Sequence, residues 1–247
     1  MEHIFKYWRL SYYIEPALFL MLVVTLYISV SKLRFLPQAK FLPIYLSLFL
    51  LLMINEYVFK ILYPKTLPNQ YQFFEGLANY LVTVAEFYAF NYFIYSVTRT
   101  NQLKKYILFT SAICSAFFLY AAVQVWESHA GNVHTPLNNL YILESTVLLP
   151  ICTFYFIEQF RIPSETKLLH SPDFWISSGL LIYFACTFPL TLIAEYLHKT
   201  NKLLIWQLYH LIYIFYIVLY GMIIIAYNTV KKEASTKSSG YKTSNNF

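Results

Sequence analysis

Apolar residues run along this chain in long blocks, not as alternating faces, and short polar or proline-containing stretches divide the blocks. Crossing a hydrocarbon core takes about 20 mostly apolar residues, and a helix satisfies every backbone polar group within the segment. Seven blocks meet that demand: Ile14–Leu33, Phe41–Tyr63, Phe73–Val97, Lys105–Trp126, Leu140–Phe160, Phe174–Leu197 and Leu203–Tyr227. The separators hold Pro37, Pro64 and Pro68, the polar run from Arg99, Gly131 to Pro136, Ile162 to Pro172, and His198 to Lys202, as turns should. Ser171-Pro172-Asp173 before Phe174-Trp175 reads as a helix start, with a proline at the first turn, an acid on the helix dipole and an interfacial tryptophan.

The pattern therefore predicts an all-α polytopic membrane protein, a seven-transmembrane-helix bundle over residues 1–230. Residues 231–247 are rich in Ser, Lys and Asn and have little to bury, so a disordered tail is expected there. Lys6 and Arg9 precede the first apolar run as in a signal peptide, but the run is long and lacks a small-x-small cleavage site. A retained helix is expected.

Composition agrees: 58% of residues are hydrophobic and 12% charged, against about 25% charged in soluble domains. Five glycines make close small-residue seams a minor packing device. Cys114, Cys152 and Cys186 all lie inside apolar blocks, which excludes a disulfide framework or a CxxC metal site.

The net charge of +6 sits in connections and tail. It reads as a topology signal with affinity for anionic headgroups; no basic face suits nucleic acid. Lys6, Arg9, Lys60, Lys65, Lys199 and Lys202 fall on one side. The other side holds the remaining twelve of the eighteen Lys and Arg, among them Lys32, Arg34, Lys40, Arg99, Lys104, Lys105 and Arg161. The richer side should be cytoplasmic, which puts the N-terminus outside and the C-terminus inside.

Acids show the opposite bias. Glu15, Glu56, Glu75, Glu86, Glu127, Glu144 and Glu195 fall at mid-depth or toward the predicted outside, whereas Glu158, Glu165, Asp173 and Glu233 lie toward the inside. Ionisable groups in a bilayer are costly and face the bundle interior, so an acid-lined cavity opening outward is expected. Helical spacing supports it: Glu75, Asn79 and Glu86 share a face, as do Thr187, Thr191, Glu195 and His198, Gln207 and His210, and Tyr120, Gln124 and Glu127. Such faces should turn toward one another. Glu86 is the deepest acid, and it needs either a cation or hydrogen-bond donors that lock the bundle. Asn55-Glu56 likewise needs partners within the bundle. Tyr209, Tyr213, Tyr216 and Tyr220 form a stripe better read as a packing seam than as a cofactor box. Pro189 should free a carbonyl beside the threonine stripe, and Glu158 and Arg161, three apart, are spaced to pair.

Several chemistries are excluded. Leu203–Tyr227 has no lysine for a retinal Schiff base. No two of the six histidines are three or four apart, so helical zinc spacing is missing. There is no phosphate-binding glycine loop, nucleophile elbow or nucleotide fingerprint. No catalytic residue, metal or cofactor is expected, and an enzyme is not the expectation.

Glu86-Phe87-Tyr88 leading into Asn91-Tyr92-Phe93, and Ser171-Pro172-Asp173-Phe174-Trp175-Ile176 followed by Gly179-Leu180-Leu181-Ile182-Tyr183-Phe184, resemble uncharacterised bacterial seven-helix inner-membrane proteins. Such bundles are similar to membrane sensory modules of two-component signalling. The resemblance implies a bacterial cytoplasmic membrane, and the family has no assigned catalytic residues to carry over. No kinase domain follows Tyr227, so signalling would need a separate cytoplasmic partner or the tail.

The expected function is a ligand-binding sensory component whose cavity holds a small ligand or cation. Its candidate lining is Glu56, Glu75, Asn79, Glu86, Glu144, Glu195, Gln207 and His210. The alternatives are a small transporter or proton/cation carrier that uses an intramembrane glutamate, and a structural or assembly protein.

Overall fold

The computed structural model describes residues 2–62, 69–127, 134–161, 168–198 and 202–243, with side chains over 13–58, 73–127, 137–161, 169–194, 196–197 and 208–230. Among these residues the chain is wholly helical: α1 (Glu2–Ser31), α2 (Leu42–Leu62), α3 (Asn69–Val97), α4 (Asn101–Glu127), α5 (His134–Arg161), α6 (Pro172–His198) and α7 (Lys202–Thr243). Two short 3-10 turns, Leu33–Phe35 and Pro37–Ala39, join α1 to α2, and a third, Leu168–His170, precedes α6. Pro172 opens α6 with Asp173 in its first turn, as expected. The helix of α7 continues past Val230, the last residue whose side chain is described, into the segment expected to be a tail.

Five of these segments are long and apolar enough to cross a membrane: Tyr13–Ser31, Asn101–Glu127, Leu137–Arg161, Pro172–Ala194 and Leu208–Val230. The described apolar part of α2, Leu42–Val58, is shorter. α3 is diluted by Glu75, Asn79, Glu86 and Asn91 and is not among the five. Apolar helices of this length make the chain a multi-pass integral membrane protein.

Packing defines a ring. α1 lies against α2 and α7, α2 against α3, α3 against α5, α5 against α6, and α6 against α7, which closes the circuit. α4 stays outside, against α3 and α5. It buries one stripe, Leu103, Ile107, Cys114, Phe118, Ala121 and Val125. It exposes Leu108, Phe109, Phe117, Leu119 and Val123 on its other side. A helix that is apolar all round belongs in lipid. The expectation that Tyr120, Gln124 and Glu127 turn inward is corrected here: Tyr120 and Glu127 are exposed, and Gln124 donates to the Tyr120 hydroxyl at 2.6 Å. The apolar stripe fits the groove between α3 and α5, so the polar stripe points away.

The helix ends that carry Lys32, Lys40, Arg99 and Lys104 gather at one end of the bundle, the basic end. Lys32 Nζ donates to the Tyr227 carbonyl at 3.2 Å and to Asn228 Oδ1 at 2.9 Å, tying the end of α1 to α7. Lys40 lies over the rings of Phe41 and Tyr92, at 5.0 and 4.7 Å, and Lys104 over Tyr95 at 5.6 Å. Glu158 on α5 accepts the backbone N–H groups of Arg99 and Thr100 at 2.8 and 2.7 Å. Glu158 therefore holds the α3–α4 turn, while Arg161, its expected partner, is exposed. Unpaired amides at a helix start are obligatory donors, and a carboxylate satisfies two at once. The six Lys and Arg assigned to the other side lie outside the described side chains.

Candidate functional site

α3 and α5 each bring one carboxyl into the middle of the ring. Glu86 on α3 is 1% exposed and Glu144 on α5 is 3% exposed. Both are there because their neighbours bury the same helix faces: Val82, Phe87, Ala89 and Phe90 around Glu86, and Leu140, Leu148, Ile151 and Cys152 flanking Glu144. The two acids interact electrostatically, so they share one interior region.

Tyrosines close around them. The Tyr216 hydroxyl on α7 donates to Glu86 Oε2 at 3.2 Å. Tyr45 from α2 and Tyr183 from α6 also turn hydroxyls toward Glu86. Tyr45 and Tyr220 share a hydroxyl–hydroxyl bond of 3.1 Å. Tyr141, one turn from Glu144 on α5, bonds Thr83 and lies within the field of both acids. Ring packing makes the walls: Tyr183 and Tyr216 have centroids 4.6 Å apart, Phe49 and Tyr216 5.2 Å, and Tyr45 and Phe90 5.4 Å. Glu86 Oε1 and Glu144 Oε1 are buried without a hydrogen-bond partner. An unsatisfied buried polar atom costs about 1–3 kcal/mol, more if charged, so this site has capacity for donors.

The predicted lining divides. Glu86 and Glu144 are both buried and lie in each other's electrostatic field. Glu75 and Asn79 are half-buried along α3, where Asn79 Nδ2 donates to the Glu75 carbonyl at 3.0 Å and Thr83 Oγ1 donates to the Asn79 carbonyl at 2.9 Å. Glu56 belongs to a second group, away from the basic end, with Glu15 of α1, Tyr57 of α2 and Tyr213 of α7. His210 is half-buried with its ring 6.1 Å from that of Tyr213. Tyr213 also lies in the electrostatic field of Tyr141. The side chains of Glu195, Gln207 and His198 lie outside the described residues. Thr187 and Thr191 are buried but donate to their own helix, to the carbonyls of Tyr183 and Phe188, each at 2.8 Å.

Sequence reasoning missed Tyr45, Tyr141 and Tyr183 as site residues and read Tyr216 and Tyr220 as a seam. The available signal was their single hydroxyl in otherwise apolar faces at the depth of Glu86. Among the described residues no group of three or more His, Cys, Asp or Glu could hold a metal ion. No protein-family model, no curated protein and no solved structure matches the chain.

Proposed function

We propose that the chain is a ligand-binding sensory component of a bacterial cytoplasmic membrane, crossing it seven times with the basic end in the cytoplasm. The observation that carries this reading is the meeting of Glu86 and Glu144 inside the ring, each with an oxygen that no protein group satisfies. The excess of Lys and Arg at the basic end supports the orientation, and the two resembling stretches, from Glu86 and from Ser171, support the sensory class. A ligand enters from the acid-rich end, past Glu56 and Tyr213, and binds between α3 and α5. The same two helices are joined at the basic end, where Glu158 holds the α3–α4 turn. A change in their spacing at the acids reaches that turn directly, and a separate cytoplasmic protein reads it there.

The carrier alternative has support toward the basic end, where Asn91 Oδ1, Thr98 Oγ1 and the Tyr227 hydroxyl are buried without a partner. Phe90, Ile94 and Phe184 are buried beside these groups and put apolar and aromatic surface among them.

Hydrogen–deuterium exchange on the full chain in lipid nanodiscs tests the relay. Glu86→Gln and Glu144→Gln should change protection at Thr98–Leu103 and at the Ile224–Val230 end of α7, as well as at the substituted turns. Changes confined to the turns around the pair would reject the sensory reading and leave a structural role.

A further inference from the structure

We propose that the Glu86–Glu144 pair is a receptor site for a compact primary ammonium cation, a short alkyl body with N–H donors at its head. This rests on the site, and on the entry side, of the reading above. Both acids leave one oxygen without a donor while 1% and 3% exposed, so the occupant must bring donors. An ammonium head brings three and no acceptor.

Charge points the same way. Among the described residues, Glu86 has Tyr216, Tyr45 and Tyr183 as hydrogen-bond partners and acts in turn on Glu144. Two carboxyls in each other's field repel when ionised, and a cation between them removes that repulsion while its N–H groups supply charge-assisted hydrogen bonds. Glu15 and Glu56 group around Tyr57 and Tyr213, on the side of the pair away from the basic end.

The walls select the kind of cation. The rings of Tyr183, Tyr216, Phe49 and Tyr45 pack with centroids 4.6–6.2 Å apart. Aromatic faces attract ammonium ions and cover methylene groups. A calcium ion instead takes about 6–8 oxygen ligands, and among the described residues no group of three or more His, Cys, Asp or Glu gathers to start such a shell.

The test is calorimetric titration of the full chain in lipid nanodiscs with propylammonium chloride, beside tetramethylammonium chloride and sodium chloride at the same concentrations. Propylammonium should bind saturably, and both comparison salts on the order of tenfold or more weaker, the value of one charge-assisted hydrogen bond. Folded Glu86→Gln and Glu144→Gln should each weaken propylammonium by a similar factor, and Tyr216→Phe, which keeps both carboxyls, by less. Absence of saturable propylammonium binding to the wild-type chain overturns the proposal. Sodium binding as tightly overturns it in favour of an inorganic cation, and tetramethylammonium binding as tightly overturns the requirement for N–H donors. These wild-type comparisons hold whether or not the variants fold. Amine binding without any relay to the basic end rejects the sensory reading alone; a relay without amine binding rejects this one alone.

Discussion

Glu158 lies near the end of α5, yet what it secures is the start of α4. Its Oε1 takes the amides of Arg99 and Thr100, and its Oε2 lies 3.4 Å from the Thr100 hydroxyl. The sequence spacing to Arg161 suggested a surface pair worth a few tenths of a kcal/mol. The backbone amides win because they have no other acceptor. Glu158→Ala should therefore cost about 1–3 kcal/mol, read by SDS-titrated unfolding in detergent micelles, and Glu158→Gln less, because its amide oxygen still accepts. Equal stability of the alanine variant and wild type would contradict this. The same limit on local reading explains the tyrosines. Glu86 was legible as the deepest acid from its block alone and Glu144 as an acid at mid-depth or nearer the outside, but spacing cannot tell which hydroxyls of α2, α6 and α7 point at Glu86. That depends on helix rotation within the ring, which is a tertiary quantity.

At the scale of elements, the apolar blocks mapped closely onto helices, because hydrocarbon-length runs leave few other structures open. α5 starts at His134, ahead of the block at Leu140, since a polar first turn can be helical outside the apolar run. The inward face of α4 was misread: the Tyr120 stripe is polar, but the deciding factor is the fit of small and apolar residues such as Ala121 and Cys114 into α3 and α5. α6 and α7 provide the sharpest packing test. A Cβ placed on Gly179 would stand 2.9 Å from Met222 Cβ and 3.1 Å from Leu219 Cδ1. Gly179→Ala should push these helices apart and cost about 1–3 kcal/mol in the same unfolding assay. Adding Met222→Ala should not restore stability, because the nearest clash is with the Cβ that alanine keeps. Full rescue would show that the helices are less closely seated than described.

Across the whole molecule, a closed ring of six helices surrounds the acid pair, and α4 lies outside it. Lys32, Lys40 and Lys104 are engaged with carbonyls and aromatic rings at the basic end, while Glu15 and Glu56 group away from it. A C-terminal reporter fusion should accordingly read as cytoplasmic; periplasmic activity would invert the entry side of the site. The sequence carried the all-helical, multi-pass character well, because it follows from the length and composition of the apolar runs. It did not carry the division of the acids into two groups, which arises because Glu56 faces α1 and α7 while Glu86 and Glu144 face the ring centre.

All functional argument depends on Glu86 and Glu144 occupying one shared space. A double-mutant cycle measures this: unfolding free energies of Glu86→Gln, Glu144→Gln and the pair together, in one nanodisc preparation. Two carboxyls in each other's field should give a coupling energy of about 0.5–3 kcal/mol, the second substitution changing stability differently from the first. Additivity within about 0.3–0.5 kcal/mol would mean that the acids do not sense each other, and the shared site would be refuted.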